Sequence, residues 1–165
     1  MRAYLIGNMY LSSIQQGIQA AHCIAEMFTK YTGELLATRS QGPTAIQLFD
    51  WAQNHKTVIV LNGGYSSALE TLYQLFDSDE NPYAYAKFHE EEAALNGALT
   101  SVGIIVPSRI YEAVRALNSS QSARERWEVD QVIDTEVGDE FVRYDSYTRF
   151  ECKLIEALRP LRLAQ

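Results

Sequence analysis

Leu11–Phe28, LSSIQQGIQAAHCIAEMF, reads as an amphipathic α-helix, and the rest of the chain is organised around it. Ile14, Ile18, Ala21, Ala25 and Phe28 recur at spacings of four, three, four and three. That pattern places side chains on one side of a helix with about 3.6 residues per turn. This row is expected to face a core. One residue further on, Gln15, Gln19, His22 and Glu26 repeat the spacing, rotated by roughly 100°. The polar row borders the apolar one and is expected to line a cleft.

The flanking segments read in order as strands and helices. Arg2–Gly7 is a short apolar strand, and Asn8 to Ser13 is a loop in which Ser12 or Ser13 can cap the helix. Turn signals fill Gly33 to Pro43, after which Pro43-Thr44 starts a second helical run through Ile46, Leu48, Phe49 and Ala52. Lys56–Leu61, KTVIVL, is a continuous run of the kind buried on both faces of a sheet. Asn62-Gly63-Gly64-Tyr65-Ser66-Ser67 then turns into a helix over Leu69, Leu72, Tyr73 and Phe76. The turn reads either as a glycine turn with a serine cap or as a place where free helix N–H groups hold an anion.

Tyr83–Phe88 alternates as a third strand, Glu90–Gly97 is an acidic loop, and Leu99–Val106 is a fourth strand closed by Pro107. Arg109–Leu117 reads as a helix with Ile110, Val114 and Leu117 inward. The polar stretch Asn118–Ser122 separates a domain of residues 1–117 from an extension of residues 118–165. Within the extension, 127–144 fits a hairpin or a broken helix. Tyr147, Phe150, Leu154, Leu158 and Leu161 keep helical spacing, for packing on their own domain or docking on another subunit.

With 165 residues and 47% hydrophobic content, the chain has ample material for a core. It contains no run of about 18 apolar residues, and Met1-Arg2-Ala3-Tyr4 leads straight into strand one, so the expectation is a cytoplasmic protein with no membrane partner. Cys23 and Cys152 lack metal-ligand spacing and read as small buried hydrophobes, with no metal or cofactor expected. The net charge of −7 is shared by both parts: residues 1–117 carry seven Lys/Arg against eleven Asp/Glu, and residues 118–165 carry seven against ten. A polyanion is normally met by a Lys/Arg patch, so this balance argues against broad nucleic-acid binding and is compatible with a small ligand.

Gln19-Ala20-Ala21-His22 on the first helix, Lys56–Leu61 as a central strand, and Phe88-His89-Glu90 followed by Leu99-Thr100 together resemble the type-two peptidyl-tRNA hydrolase family, over about residues 2–117. The resemblance is closest to the short bacterial and viral members. It implies an α/β fold with a four-stranded mixed sheet flanked by helices. In active family members a lysine stands four residues before the helix-one glutamine, an acidic residue follows the third strand, and a threonine sits in the fourth. The corresponding residues here are Gln15, Glu90 and Thr100, with Glu91 and Glu92 as neighbouring carboxylates. An amide at Gln15 cannot supply the cation that would hold a phosphate or polarise an ester carbonyl.

Two functions follow as expectations. The first is a non-enzymatic protein that binds a small polar ligand, a nucleotide, through Gln15, Gln19, His22, Asn62, Ser66, Glu90 and Thr100. In a viral protein this would serve to sequester a host nucleotide signal. Tyr10 and Tyr65, in loops near the ends of strands one and two, are placed to stack on a base. The alternative is ester hydrolysis of peptidyl-tRNA, with His22, Glu90 and Thr100 activating a water. Under either, the extension points to a homo-oligomer or a completed pocket.

Overall fold

The computed structural model describes residues 1–38, 42–119 and 147–164. The chain divides into two compact units, Met1–Pro107 with Leu161–Gln165, and Ser108–Pro160.

In the first unit, strand β1 (Arg2–Gly7) lies at the centre of a mixed sheet. It pairs parallel with β2 (Val58–Asn62) and antiparallel with β4 (Leu99–Val106). Beyond β4 lies β3 (Tyr85–His89), antiparallel to it and therefore parallel to β1. A fifth strand, β5 (Arg162–Leu163), pairs antiparallel with the end of β2 and completes the order β3-β4-β1-β2-β5. The expectation of four strands is thus corrected to five. Two residues following Pro160 are too few to show a period-2 pattern, so nothing local marks β5.

Helix α1 (Ser13–Thr38) covers one face of the sheet. Its Ala20, Cys23, Met27 and Tyr31 form one core with Ala3 and Leu5 of β1 and Ile105 of β4. Helix α2 (Pro43–Asp50) and a π-helical turn (Trp51–His55) add Ala45, Leu48 and Trp51. Helix α3 (Ser66–Phe76) serves the opposite face, where its Leu69 and the β1 residue Ile6 both crowd Gly63. The chains leaving β1 and β2 therefore turn to opposite sides of the sheet, which opens a crevice at the strands' carboxyl ends.

The buried face of α1 is not the expected one. Gln16, Gln19, Ala20, Cys23, Met27 and Tyr31 are buried, whereas Ile14 is 77% exposed, Ile18 is 50% exposed, and Ala21 and Ala25 face solvent. Phe28 is half-buried against Phe49, ring centroids 5.7 Å apart. Both rows have helical spacing, and close approach to the sheet selects between them. A Cβ on Gly103 would lie 2.7 Å from Leu5 Cδ1 and Met27 Cε and 3.1 Å from Cys23 Sγ, so the helix rides low over β4 on its slim Ala20–Cys23 side.

Strand β2 also departs from its expected burial on both faces: Val58 is exposed and Ile59 and Val60 half-exposed. Only its last residues, Leu61 and Asn62, are paired with β5. The acidic loop contains one helical turn, α4 (Glu92–Leu95), which ends at Asn96 with φ of 52°.

In the second unit, α5 (Ser108–Ser119) buries Ile110, Val114 and Leu117, as the spacing predicts. Helix α6 (Arg149–Leu158) packs against α5 and buries Phe150, Leu154, Ile155 and Leu158. Thr148 and Glu151 form a capping box at its start. Asn118 and Ser119 belong to α5, and the expected hairpin or broken helix over 127–144 lies outside the described residues.

Candidate functional site

The parallel strands β1, β2 and β3 all end at the same side of the sheet, beside the beginning of β4. A β-bulge there decides the chemistry. Phe88 pairs with Ser101 and His89 with Leu99, so Thr100 is an extra residue in β4. In a regular strand, side chains at successive positions point to opposite faces. The bulge instead turns Thr100 toward α1, although its neighbour Ser101, two residues before the Gly103 that faces Cys23 and Met27, serves that same face.

Thr100 Oγ1 donates to Gln19 Oε1 at 3.0 Å, and Gln19 Nε2 donates to Glu90 Oε1 at 2.6 Å. Phe88 O lies 3.3 Å from the same hydroxyl. Thr100 and Gln19 are buried and Glu90 is half-buried at the mouth. Of the three adjacent carboxylates, Glu90 is the one that reaches Gln19; Glu91 stands at the N-cap position of α4 without a side-chain capping bond, Glu92 lies in its first turn, and both are exposed.

A second set lies alongside. Asn8 Nδ2 donates to Ser66 Oγ at 3.0 Å and to Leu99 O at 3.3 Å, while its Oδ1 accepts from Tyr10 N. Ser66 Oγ also donates to Leu99 O, at 3.2 Å, and is therefore not a cap for α3, whose N-cap is Tyr65. The backbone bond from Asn8 N to Thr100 O ties the two sets together. Asn62 Oδ1 accepts from Gly64 N, which holds Gly64 at φ 83°. Tyr10 and Tyr65 stand in contact above the turn, ring centroids 4.9 Å apart, and both are exposed.

Asn62 also faces Arg162 across the β2–β5 pairing. The two residues line an open hollow of about 510 Å³ together with Leu161 and Leu163. The Arg162 side chain is exposed and makes no ion pair among the described residues.

The polar row of α1 does not act as a unit. Gln19 enters the network, but Gln15 Oε1 accepts from Ser12 N and Ser12 Oγ, each at 3.0 Å, and Ser12 Oγ accepts from Gln15 N. This is a capping box, and it holds the start of the helix. His22 is exposed and stacks on Phe88 with centroids 4.6 Å apart. Of the seven residues expected to bind ligand, Gln19, Glu90 and Thr100 form one network and Asn62 and Ser66 stand near the other. Gln15 is occupied elsewhere, and His22 borders the mouth.

Asn8 and Arg162 went unrecognised. Asn8 directly follows strand one, a position that marks it as a loop residue and nothing more, and Arg162 has no signal until β5 is known. Among the described residues no group of three His, Cys, Asp or Glu side chains is placed to hold a metal ion, and no helix is long and apolar enough to cross a membrane. No protein-family model and no curated protein matches this chain.

Proposed function

We propose that this protein binds a small polar ligand, a nucleotide, at the carboxyl ends of β1, β2 and β3, without carrying out chemistry on it. The observation that carries this reading is the Thr100–Gln19–Glu90 chain. The Thr100 hydroxyl gives its proton to a neutral amide oxygen, which is not a base, and among the described residues no cation pairs with Glu90. A nucleophile needs an adjacent base, and stabilising a developing oxyanion needs preorganised donors or a cation. The network instead serves recognition. With Gln19 buried and locked, Glu90 Oε2 stays available at the mouth, an acceptor that suits the donor edge of a base.

Exposed Tyr10 and Tyr65 offer a stacking surface, worth about 1–3 kcal/mol per base. For the phosphate, the turn Gly63-Gly64 leads into the first N–H groups of α3, and Arg162 supplies a guanidinium beside Asn62.

The test is to release ligand from protein purified from cells by denaturation, identify it by mass spectrometry, and follow thermal shifts against a nucleotide panel. A nucleotide is expected, with binding lost in Gln19→Ala and weakened in Arg162→Ala. No released ligand together with no thermal shift overturns the reading. The convergence of Glu90 and Thr100 on one residue also keeps peptidyl-tRNA hydrolysis as a second reading. Release of N-acetyl-aminoacyl groups from tRNA that disappears in both Thr100→Val and Glu90→Gln would establish it over the first.

A further inference from the structure

The side-chain donors of both networks are directed inward. Asn8 Nδ2 spends its two hydrogens on Ser66 Oγ and Leu99 O, and Ser66 Oγ spends its own on Leu99 O as well. Thr100 Oγ1 donates to Gln19 Oε1, and the buried Gln19 donates through Nε2 to Glu90 Oε1. What these networks turn toward the mouth is the half-buried Glu90 carboxylate, which only accepts hydrogen bonds. A ligand seated there must bring the hydrogens itself. We propose, resting on the nucleotide reading above, that the base held at Glu90 is guanine, through its N1–H and its 2-amino group.

The common bases differ in what they offer a carboxylate. Guanine carries N1–H and the 2-amino group side by side on one edge, two parallel donors that match the two oxygens of the carboxylate. Adenine sets its 6-amino group beside the N1 lone pair, and cytosine its 4-amino group beside the N3 lone pair. In uracil, N3–H lies between two carbonyls. Each of these three brings one donor and turns a lone pair against the second oxygen, which rejects it. Glu90 has the capacity for both guanine donors: Gln19 supplies one hydrogen to Oε1, and a carboxylate offers about four lone-pair sites.

The carboxylate is in position before the base arrives. Its 2.6 Å bond from Gln19, which is itself tied to Thr100, holds it against a buried anchor and lowers the cost of ordering it on binding. The sheet order also separates the two ends of the ligand. Glu90 follows β3, with Glu91 and Glu92 beside it, whereas the Gly63-Gly64 turn and Arg162 lie on the other side of β1, at β2 and β5. The carboxylate end suits an edge made of donors, and the guanidinium end suits the phosphate.

The experiment is isothermal titration calorimetry of the full chain with the 5′-monophosphates of guanosine, inosine, adenosine, cytidine and uridine, which share the phosphate and sugar and differ in the base. Guanosine monophosphate is expected to bind about 10- to 100-fold tighter than the adenosine, cytidine and uridine compounds, the discrimination of one bidentate pair. Inosine monophosphate keeps N1–H and lacks the amino group, and is expected to bind more weakly than guanosine monophosphate. That comparison is made on the unaltered chain and does not depend on a variant folding. In Glu90→Gln the amide oxygen can keep the bond from Gln19 while its hydrogens face the mouth. Affinity for guanosine monophosphate is then expected to fall by the same factor, with that for adenosine monophosphate not reduced. A chain that binds none of the five overturns the nucleotide reading itself. Binding with no preference for guanine, inosine bound as tightly as guanosine, or a preference that survives Glu90→Gln overturns the assignment of the base and leaves the nucleotide reading standing.

Discussion

Thr100 and Gln19, 81 positions apart in the chain, are joined by a 3.0 Å hydrogen bond between buried side chains. The bond depends on the bulge that gives β4 one more residue than β3 at this point. Buried polar groups cost little when paired and about 1–3 kcal/mol when a partner is removed. Thr100→Val keeps the shape of the side chain and strands Gln19 Oε1, so it should destabilise by about that amount. In urea denaturation, combining it with Gln19→Leu should cost less than the sum of the single changes, with a coupling of about 0.5–3 kcal/mol. Strict additivity would mean that the two side chains do not share their energy.

Cys23 provides a pH dependence. Burial pushes its thiol up from 9.0 to about 12, partly offset by the nearby Ser101 hydroxyl, while the negative charge of Glu26 adds to the rise. Below pH 9 the thiol is protonated in both the folded and the unfolded chain and contributes no slope. Above it the unfolded chain loses the proton first, so stability falls as the pH rises from about 9 toward 12. Tyr85, raised by burial and by its hydrogen bond to Asp77, acts in the same direction at higher pH. Denaturant midpoints measured from neutral to alkaline pH should decline, and less steeply in Cys23→Ala. Alkylation of Cys23 by iodoacetamide at neutral pH should require unfolding.

Two glycine substitutions should have opposite signs. At Gly63, where β2 leads into α3, a Cβ would stand 2.4 Å from Ile6 Cγ2 and 2.5 Å from Leu69 Cδ2. Ile6 is β-branched and stiff, so Gly63→Ala should cost about 1–3 kcal/mol. Gly33 lies inside α1 with nothing within 4 Å of a Cβ, and Gly33→Ala should stabilise by about 0.5–1 kcal/mol. Thermal midpoints of the two variants check both directions.

Glu151 holds the second unit's α6 to α5. Its carboxylate accepts from Thr148 N at 2.8 Å and from the Arg109 guanidinium, and the residue is buried. Thr148→Ala should cost about 1 kcal/mol as a lost cap. Glu151→Ala should cost more, about 3 kcal/mol, because it removes the reciprocal half of the capping box and leaves Arg109 without its partner, a loss tempered by the exposure of the Arg109 side chain. Equal effects would show that the ion pair contributes nothing beyond the cap.

The four longer strands and most helices were legible in the chain, because each rests on a local signal such as the KTVIVL run, Pro43 at a helix start, or the 3-4 spacing of Ile110, Val114 and Leu117. The residue types at the candidate site were legible too, since Gln19, Glu90 and Thr100 do meet. Their roles were not. Gln15 stands at the right helical spacing for a cleft yet completes a capping box with Ser12, a competing local use of the same side chain.

Periodicity establishes that α1 has apolar rows, but it carries no label for which row meets the sheet. That choice depends on how near the helix can come, and it was made by Gly103 in a strand some 80 positions away, where only slim side chains fit beneath α1. The same holds for Thr100, which alternation assigns to the opposite face and a bulge returns to Gln19, and for Arg162, which reaches Asn62 only through a two-residue strand. Period and propensity are properties of a few neighbouring residues, and they placed the elements. Facing, register and the site itself are properties of packing between distant ones, and those appear only in the folded chain.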